Sequence, residues 1–323
     1  MSQINLSDRA LSIEPSLTLQ ISAKANQLSA EGVDICNLSA GEPDFDAPKE
    51  VIEATSKAIF DGFTKYGPAA GNLDLRKAIA NKLQIQNDLN YEFENVMVTN
   101  GAKQAIYNLF QVLLNTGDEV IIPSPYWLSY PQMVRLAGGK PIFTNSSAED
   151  GFKINIKDLK SKISSKTKFI IINSPNNPTG VLYSGQILKE ICELLNRKSQ
   201  LFNSSIFLIS DEPYRKIIFD NLEYPHIYSY YKNSIVVYSH SKDLGLPGER
   251  IGYITVNENI DFKKDLLELN LWRFYTKQTV SGSLIKITGD KMEYFVRDIR
   301  DRFKIAKELN RSFFEITKEH TDA

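Results

Sequence analysis

From about Ile52 to Tyr253, short apolar runs alternate with longer amphipathic stretches. That is the pattern of βαβ units on a largely parallel sheet, an α/β fold. Seven runs qualify as strands: 96–99, 120–123, 141–144, 168–173, 206–210, 235–238 and 251–255. Several are followed at once by Gly, Pro, Asn, Asp or Ser, so polar groups gather at the C-terminal strand ends, where open α/β sheets bind ligands. Ahead of this region the pattern predicts a helix over 17–30 and then a Gly-Pro punctuated connector, 40–44. Behind it, Met292, Phe295, Val296, Ile299, Phe303, Ala306, Leu309, Phe313 and Ile316 recur at helical spacing and predict one long helix over 291–319. Three parts are expected: an arm and connector over 1–48, a ligand-binding α/β domain over 49–255, and a linker with a long helix over 256–323.

Composition narrows the function class. The 38 basic and 39 acidic side chains nearly cancel, for a net charge of -1, so no overall field draws the chain to nucleic acid or an anionic membrane. A small-molecule substrate is expected. Cys36 and Cys192 form no CxxC or CxxxH pattern and read as reduced, mostly buried thiols. The polar N-terminus lacks the pattern of a signal peptide, and no apolar run is long enough to span a bilayer, which points to the cytoplasm. His226 and His320 share no ligand spacing with each other or with the cysteines, so no metal is expected.

The candidate chemistry lies just past the strands. Lys242 follows one of them in Ser239-His240-Ser241-Lys242. Desolvation there favours the neutral amine that attacks an aldehyde, and the neighbouring hydroxyls and Arg250 suit a phosphate dianion. Asp211 ends another apolar run; a carboxylate so placed needs a cationic partner. Tyr214 is close enough to share its site. In 173–180, NSPNNPTG, two prolines and a glycine fix a turn that holds the Asn177 side chain in one direction. Asn100-Gly101-Ala102 reads as a tight turn before a helix over 105–114, whose free N–H groups make an anion site. Trp127 offers a flat ring for stacking.

Taken together, NLSAGEPDF (37–45), KYGPAAGNLDLR (65–76), TNGAKQA (99–105), PSPYW (123–127), NSPNNPTG (173–180), SDEPY (210–214) and SHSKDLGLPGERIGY (239–253) resemble, in order and spacing, the class I, fold-type I aminotransferases that use pyridoxal phosphate. The resemblance implies a large domain with a mostly parallel seven-stranded sheet flanked by helices, and an incomplete small domain drawn from both termini. It implies Lys242 as the Schiff-base lysine, Asp211 as partner of the cofactor's ring nitrogen, Asn177 and Tyr214 as ligands of its O3′, and Trp127 as the stacking residue. Gly101, Ala102, Ser239, Ser241 and Arg250 fall at phosphate-binding positions. Tyr66 falls where the family sends a tyrosine into the partner subunit's site, which implies a homodimer with shared active sites. Gly41 falls where backbone meets the substrate's α-carboxylate. The Pro15-Ser16-Leu17-Thr18 segment and Lys103 resemble the aspartate aminotransferases that read a distal carboxylate with hydroxyls (Ser16, Thr18) and a lysine. The LPGERIGY segment resembles a different branch.

The reaction so implied is transamination in two ping-pong halves, with aspartate favoured as donor and a 2-oxo acid such as 2-oxoglutarate as acceptor. Lys242 serves as base and acid between Cα and C4′. The motifs bind the cofactor rather than dictate the reaction, so a lyase or synthase on the same fold, or a cofactor-binding chain with impaired turnover, are the alternatives. The family continues past such a long helix into a segment bearing an arginine for the α-carboxylate. No such segment follows residue 319 here, so the expectation is a truncated small domain and weakened turnover. Arg297, Arg300, Arg302 and Arg311 read as the helix's solvated face.

Overall fold

The computed structural model describes residues 6–13, 17–37, 41–87 and 90–261; Ser16, His320 and the expected helix over 291–319 lie outside them. The described chain runs α1 (Asp8–Leu11), α2 (Leu17–Ala30), α3 (Lys49–Phe60), α4 (Leu73–Asn87), β1 (Val96–Thr99), α5 (Gly101–Leu113), β2 (Glu119–Pro123), α6 (Ser129–Leu136) and β3 (Lys140–Thr144). It continues with α7 (Ile156–Lys162), β4 (Thr167–Asn173), α8 (Gly185–Phe202), β5 (Phe207–Asp211), β6 (Ser234–Ser239) and β7 (Gly252–Val256). Each expected strand is present, with ends displaced by no more than one residue.

Two expectations need correction. The helix expected to begin at Ala105 begins at Gly101, because Gly101 takes φ +77° at the turn and Gln104 Oε1 accepts a hydrogen bond from the Asn100 amide at 2.6 Å. A side chain that reaches back to cap the entry amide lets the first turn start earlier. Cys36, expected to be mostly buried, is exposed, whereas Cys192 is buried. Cys36 lies on the irregular segment after α2, while Cys192 lies on the buried face of α8.

The strand order is β1-β7-β6-β5-β4-β2-β3. Pairing is parallel from β6 through β5, β4 and β2 to β3; α6, α7 and α8 lie on the connections from β2 to β3, β3 to β4 and β4 to β5, whereas β5 reaches β6 through a segment with only a short 3-10 turn. Only β7 runs the other way, antiparallel to both β1 and β6. No helix intervenes between β6 and β7; the chain turns back through the loop 240–251 and inserts β7 beside β6. Thr99, Gly252, Ser239, Asp211 and Asn173 therefore lie along one edge of the sheet.

Alternate side chains of each central strand serve opposite layers, as the period of two requires. Phe169 and Ile171 of β4 pack with Ile106, Leu109 and Phe110 of α5. Ile170 and Ile172 pack with Leu188, Ile191, Cys192 and Leu195 of α8. With both faces covered, the strand reads as an uninterrupted apolar run. A third cluster joins Leu75, Ile79 and Leu83 of α4 to Tyr238, Leu244 and Tyr253, and so fixes the loop after β6. Caps define α8: Ser184 Oγ accepts from the Ile187 amide at 3.4 Å, and Asn203 ends the helix in the left-handed conformation, φ +48°.

Phe169 is fully buried, with its ring 5.5 Å from that of Phe110 and 5.7 Å from that of Phe207. Phe169→Ala should destabilise the chain by about 3–5 kcal/mol in urea unfolding. A loss below about 1 kcal/mol, ordinary for a surface change, would mean that this layer is not packed as described.

Candidate active site

The topology brings the sequence candidates to the edge where the parallel strands end. Asp211 terminates β5 and is 3% exposed. Its Oδ2 accepts a hydrogen bond from the Tyr130 hydroxyl at 2.6 Å. Its Oδ1 is buried and has no hydrogen-bond partner among the described residues. Burial lifts the carboxyl from its ordinary 3.8 to about 7; the Tyr130 hydrogen bond opposes the rise and the nearby Glu212 adds to it. An acceptor left over in a dry site is costly. A cationic N–H donor, such as a protonated ring nitrogen, has the chemistry that this oxygen lacks, so the residues present fit pyridoxal phosphate.

Glu212 is itself 1% exposed, held by Ser210 Oγ at 2.8 Å and by Arg215 Nη1 at 3.3 Å. Asn173, next to Asp211 across the sheet, donates from Nδ2 to the Asp211 carbonyl at 2.9 Å, and its Oδ1 accepts from the Asn177 amide at 2.6 Å. One side chain thus ties the end of β5 to the NSPNNPTG turn. That turn is closed further by Asn176, whose Oδ1 accepts from the Thr179 hydroxyl at 2.9 Å. Tyr214 lies close enough to Asn177 for the two side chains to interact. Burial and Asp211 raise the Tyr214 phenol above its ordinary value, with Asn177 opposing.

Tyr130 and Asn173 are members of this cluster that motif reading missed. Asn173 carried a signal, a polar residue closing the run Phe169-Ile170-Ile171-Ile172. Tyr130 carried none, because its contact with Asp211 spans 81 positions of sequence.

Lys242 lies in the loop after β6, half-buried, with its Nζ donating to the Gly41 carbonyl. Burial lowers its pKa and Glu42 opposes. The connector carrying Gly41 packs close: a Cβ on Gly245, at φ +59°, would lie 3.1 Å from the Phe45 carbonyl oxygen.

The anion corner forms where β1, β7 and β6 adjoin. A Cβ on Gly252 would sit 2.9 Å from the Gly101 Cα and 2.5 Å from the Tyr238 carbonyl oxygen, so only glycine lets α5 approach the sheet this closely. A Cβ on Gly101 would meet Arg250 Nη2 at 2.8 Å. Arg250 adopts φ +54° and donates to the carbonyls of Pro247 at 2.8 Å and Asn100 at 3.3 Å. Ser239 and Ser241 share a hydroxyl contact of 2.7 Å. First-turn amides of α5, at Gly101 and Ala102, have no carbonyl one turn back to accept them, and the helix dipole adds positive potential.

Lys103 lies with its Nζ 5.0 Å from the centre of the Trp127 ring. Its pKa is lowered by burial and by Arg250. Thr18 is half-buried in α2. Tyr66 is fully exposed, as is much of Phe60. Among the described residues no group of His, Cys, Asp and Glu could hold a metal ion, and no helix is long and apolar enough to cross a membrane.

The raised Asp211 pKa has a consequence for stability without cofactor. Between about 4 and about 7 the folded carboxyl keeps a proton that the unfolded one has lost, so this group's contribution is full at low pH and is lost as pH rises to about 7. Asp211→Asn should therefore stabilise the cofactor-free chain by a few kcal/mol more at about pH 8 than at about pH 4.5 in urea unfolding. A difference that does not vary with pH would contradict this environment for Asp211.

Comparison with known proteins gives the arrangement its relatives. A family model described as aminotransferase class I and II matches residues 33–314. A protein of Aquifex aeolicus described as a "probable aspartate/prephenate aminotransferase" is 38% identical over 93% of this chain and 75% of its own. An aspartate aminotransferase of Bacillus sp. (strain YM-2) is 40% identical over 79% of this chain but 64% of its own, so the chain spans only about two-thirds of the length of such relatives. Aspartate aminotransferase from Thermus thermophilus, solved with maleate, superposes with a TM-score of 0.84 at 34% identity, over 95% of this chain and 79% of that one. The Thermotoga maritima aspartate aminotransferase gives a TM-score of 0.82 at 30% identity, over 92% and 78%. The chain belongs to the aminotransferase class I and II family, whose members use pyridoxal phosphate, and its sheet is that of the fold-type I branch.

Proposed function

We propose that this chain carries pyridoxal phosphate on Lys242 and transfers an amino group between an amino acid, aspartate favoured, and a 2-oxo acid such as 2-oxoglutarate. The observation that carries the reading is the Asp211 Oδ1, a buried acceptor with no partner among the described residues, at the end of a strand that Asn173 ties to the turn bearing Asn177, with Tyr214 three residues beyond Asp211. The bound cofactor supplies an electron sink, its protonated ring accepting the electron pair left when a substrate Cα loses its proton.

Asp211 holds the proton on the ring nitrogen, and Tyr130 directs that carboxylate. Asn177 and Tyr214 donate to the phenolic oxygen. Gly101 and Ala102 amides, the Ser239 and Ser241 hydroxyls and the Arg250 guanidinium hold the phosphate. Trp127 covers one ring face. Lys242, whose amine is biased toward the neutral form by burial, takes the proton from Cα and returns it at C4′. Gly41, now beside the lysine, faces the space for the α-carboxylate. Lys103, beside Trp127, meets the distal carboxylate, with Ser16 and Thr18 as further donors. Maleate, present in the Thermus thermophilus structure, is a dicarboxylate, which supports an acidic substrate. The exposed Tyr66, with Phe60 and Phe63 exposed on the same stretch of chain, suits burial against a second copy, whose site Tyr66 completes.

Incubation with aspartate and 2-oxoglutarate should yield glutamate by ping-pong kinetics, and Lys242→Ala should yield none. Ammonia or pyruvate without glutamate would overturn the transaminase reading. Lys103→Ala should raise KM for aspartate by about 10–100-fold, the worth of one charge-assisted hydrogen bond, and leave KM for alanine nearly unchanged. An equal effect on both substrates would remove Lys103 from the distal-carboxylate site.

A further inference from the structure

A buried charge stands directly behind Lys242 and has no part in the roles above. Asp243 is 1% exposed. The Tyr238 hydroxyl donates to its Oδ2 at 2.7 Å, and His240 Nδ1 faces both carboxylate oxygens at 3.1 and 3.2 Å. The rings of Tyr238 and Tyr253 are stacked at 5.1 Å, and His240 meets Tyr238 edge-on at 5.3 Å. From α4, Lys82 lies 5.1 Å from the centre of the Tyr238 ring. Burial alone would raise the Asp243 carboxyl, but His240, Lys82 and Tyr238 hold it below its ordinary range.

His240 and Asp243 are buried, whereas Ser241 and Lys242 between them are half-exposed. His240 also fixes the backbone at both ends of the loop: its amide donates to the Ile251 carbonyl at 3.0 Å, and its carbonyl accepts from the Leu246 amide at 3.3 Å. An apolar residue at 243 would fill this space without the cost of desolvating a carboxylate. A charge kept there, one residue from the reactive amine, fixes a direction that packing alone leaves loose.

We propose that the His240–Asp243 pair, braced by Tyr238, is a positioning device that sets the direction of the Lys242 amine toward the cofactor's aldehyde. It rests on the reading of Lys242 given above. In the step it serves, the neutral amine forms a C=N bond to the aldehyde carbon and gives up two protons, and the aldehyde oxygen leaves as water. No oxidant or reductant takes part. His240, Asp243 and Tyr238 touch neither cofactor nor substrate in this role.

The test separates aim from fold with two probes. Pyridoxal phosphate measures binding plus capture by the lysine; pyridoxamine phosphate, which lacks the aldehyde, measures binding alone. Both are titrated into the unaltered full-length chain and into His240→Ala, Tyr238→Phe and His240→Asn, and the lysine adduct is trapped with borohydride and mapped by mass spectrometry. His240→Ala should weaken pyridoxal phosphate capture by about 10-fold or more and pyridoxamine phosphate affinity by less than about twofold, since small misplacements of a reacting group are costly. Tyr238→Phe, which keeps the ring stack, should act in the same direction and still reports if His240→Ala does not fold. His240→Asn, which keeps a donor near the Nδ1 position, should recover most of the capture. Equal losses for both probes, or no loss for either, would overturn the proposal while leaving Lys242 as the cofactor's lysine. No adduct at Lys242 in the unaltered chain would overturn both.

Discussion

The carboxylate of Asp211, held out of water at the end of β5, is the constraint around which the site is organised. A buried acid with one oxygen satisfied by Tyr130 and the other unpaired has two low-cost states: protonated, or ionised against a cation. Without a cationic partner, burial pushes it toward the first. On the proposed reading, a protonated ring nitrogen of the cofactor would draw it to the second, and the same contact would keep that ring electron-poor. Burial of the acid and the chemistry assigned to the cofactor are thus one interaction seen from two sides.

The remaining parts follow from where the strands end. Parallel β4, β5 and β6 deliver Asn173, Asp211 and Ser239 to one edge, and the loop between β6 and the reversed β7 holds Arg250 beside the start of α5. That loop, which turns the chain back within the sheet rather than crossing over through a helix, carries both Lys242, against Gly41, and Arg250, against Gly101. The glycines at 101 and 252 are consequences of that crowding, since each stands where a Cβ would meet backbone or guanidinium.

Much of this was legible from local pattern. The strands could be read because both faces are covered, so each is an apolar run with a polar stop, and Lys242, Asp211, Asn177 and Tyr214 stand at or just past such stops. The helix α5 starts ahead of its expected position because Asn100-Gly101-Ala102 reads as a tight turn; the positive φ of Gly101 and the Gln104 cap, which make it the first residue of the helix, are features of the fold. Tyr130, and the inward turn of His240 and Asp243, were hidden for the same reason: their meaning lies in contacts across strands and in which side of a loop faces the core.

On the proposed reading Asp211, ionised, pairs with a protonated ring nitrogen of the cofactor. Nitrogen-15 NMR of the chain loaded with cofactor labelled at that ring position reads this pairing. The chemical shift should be that of a protonated pyridinium in the unaltered chain and of a neutral pyridine in Asp211→Ala. A neutral ring nitrogen in the unaltered chain, or a protonated one that survives loss of the carboxylate, would contradict it.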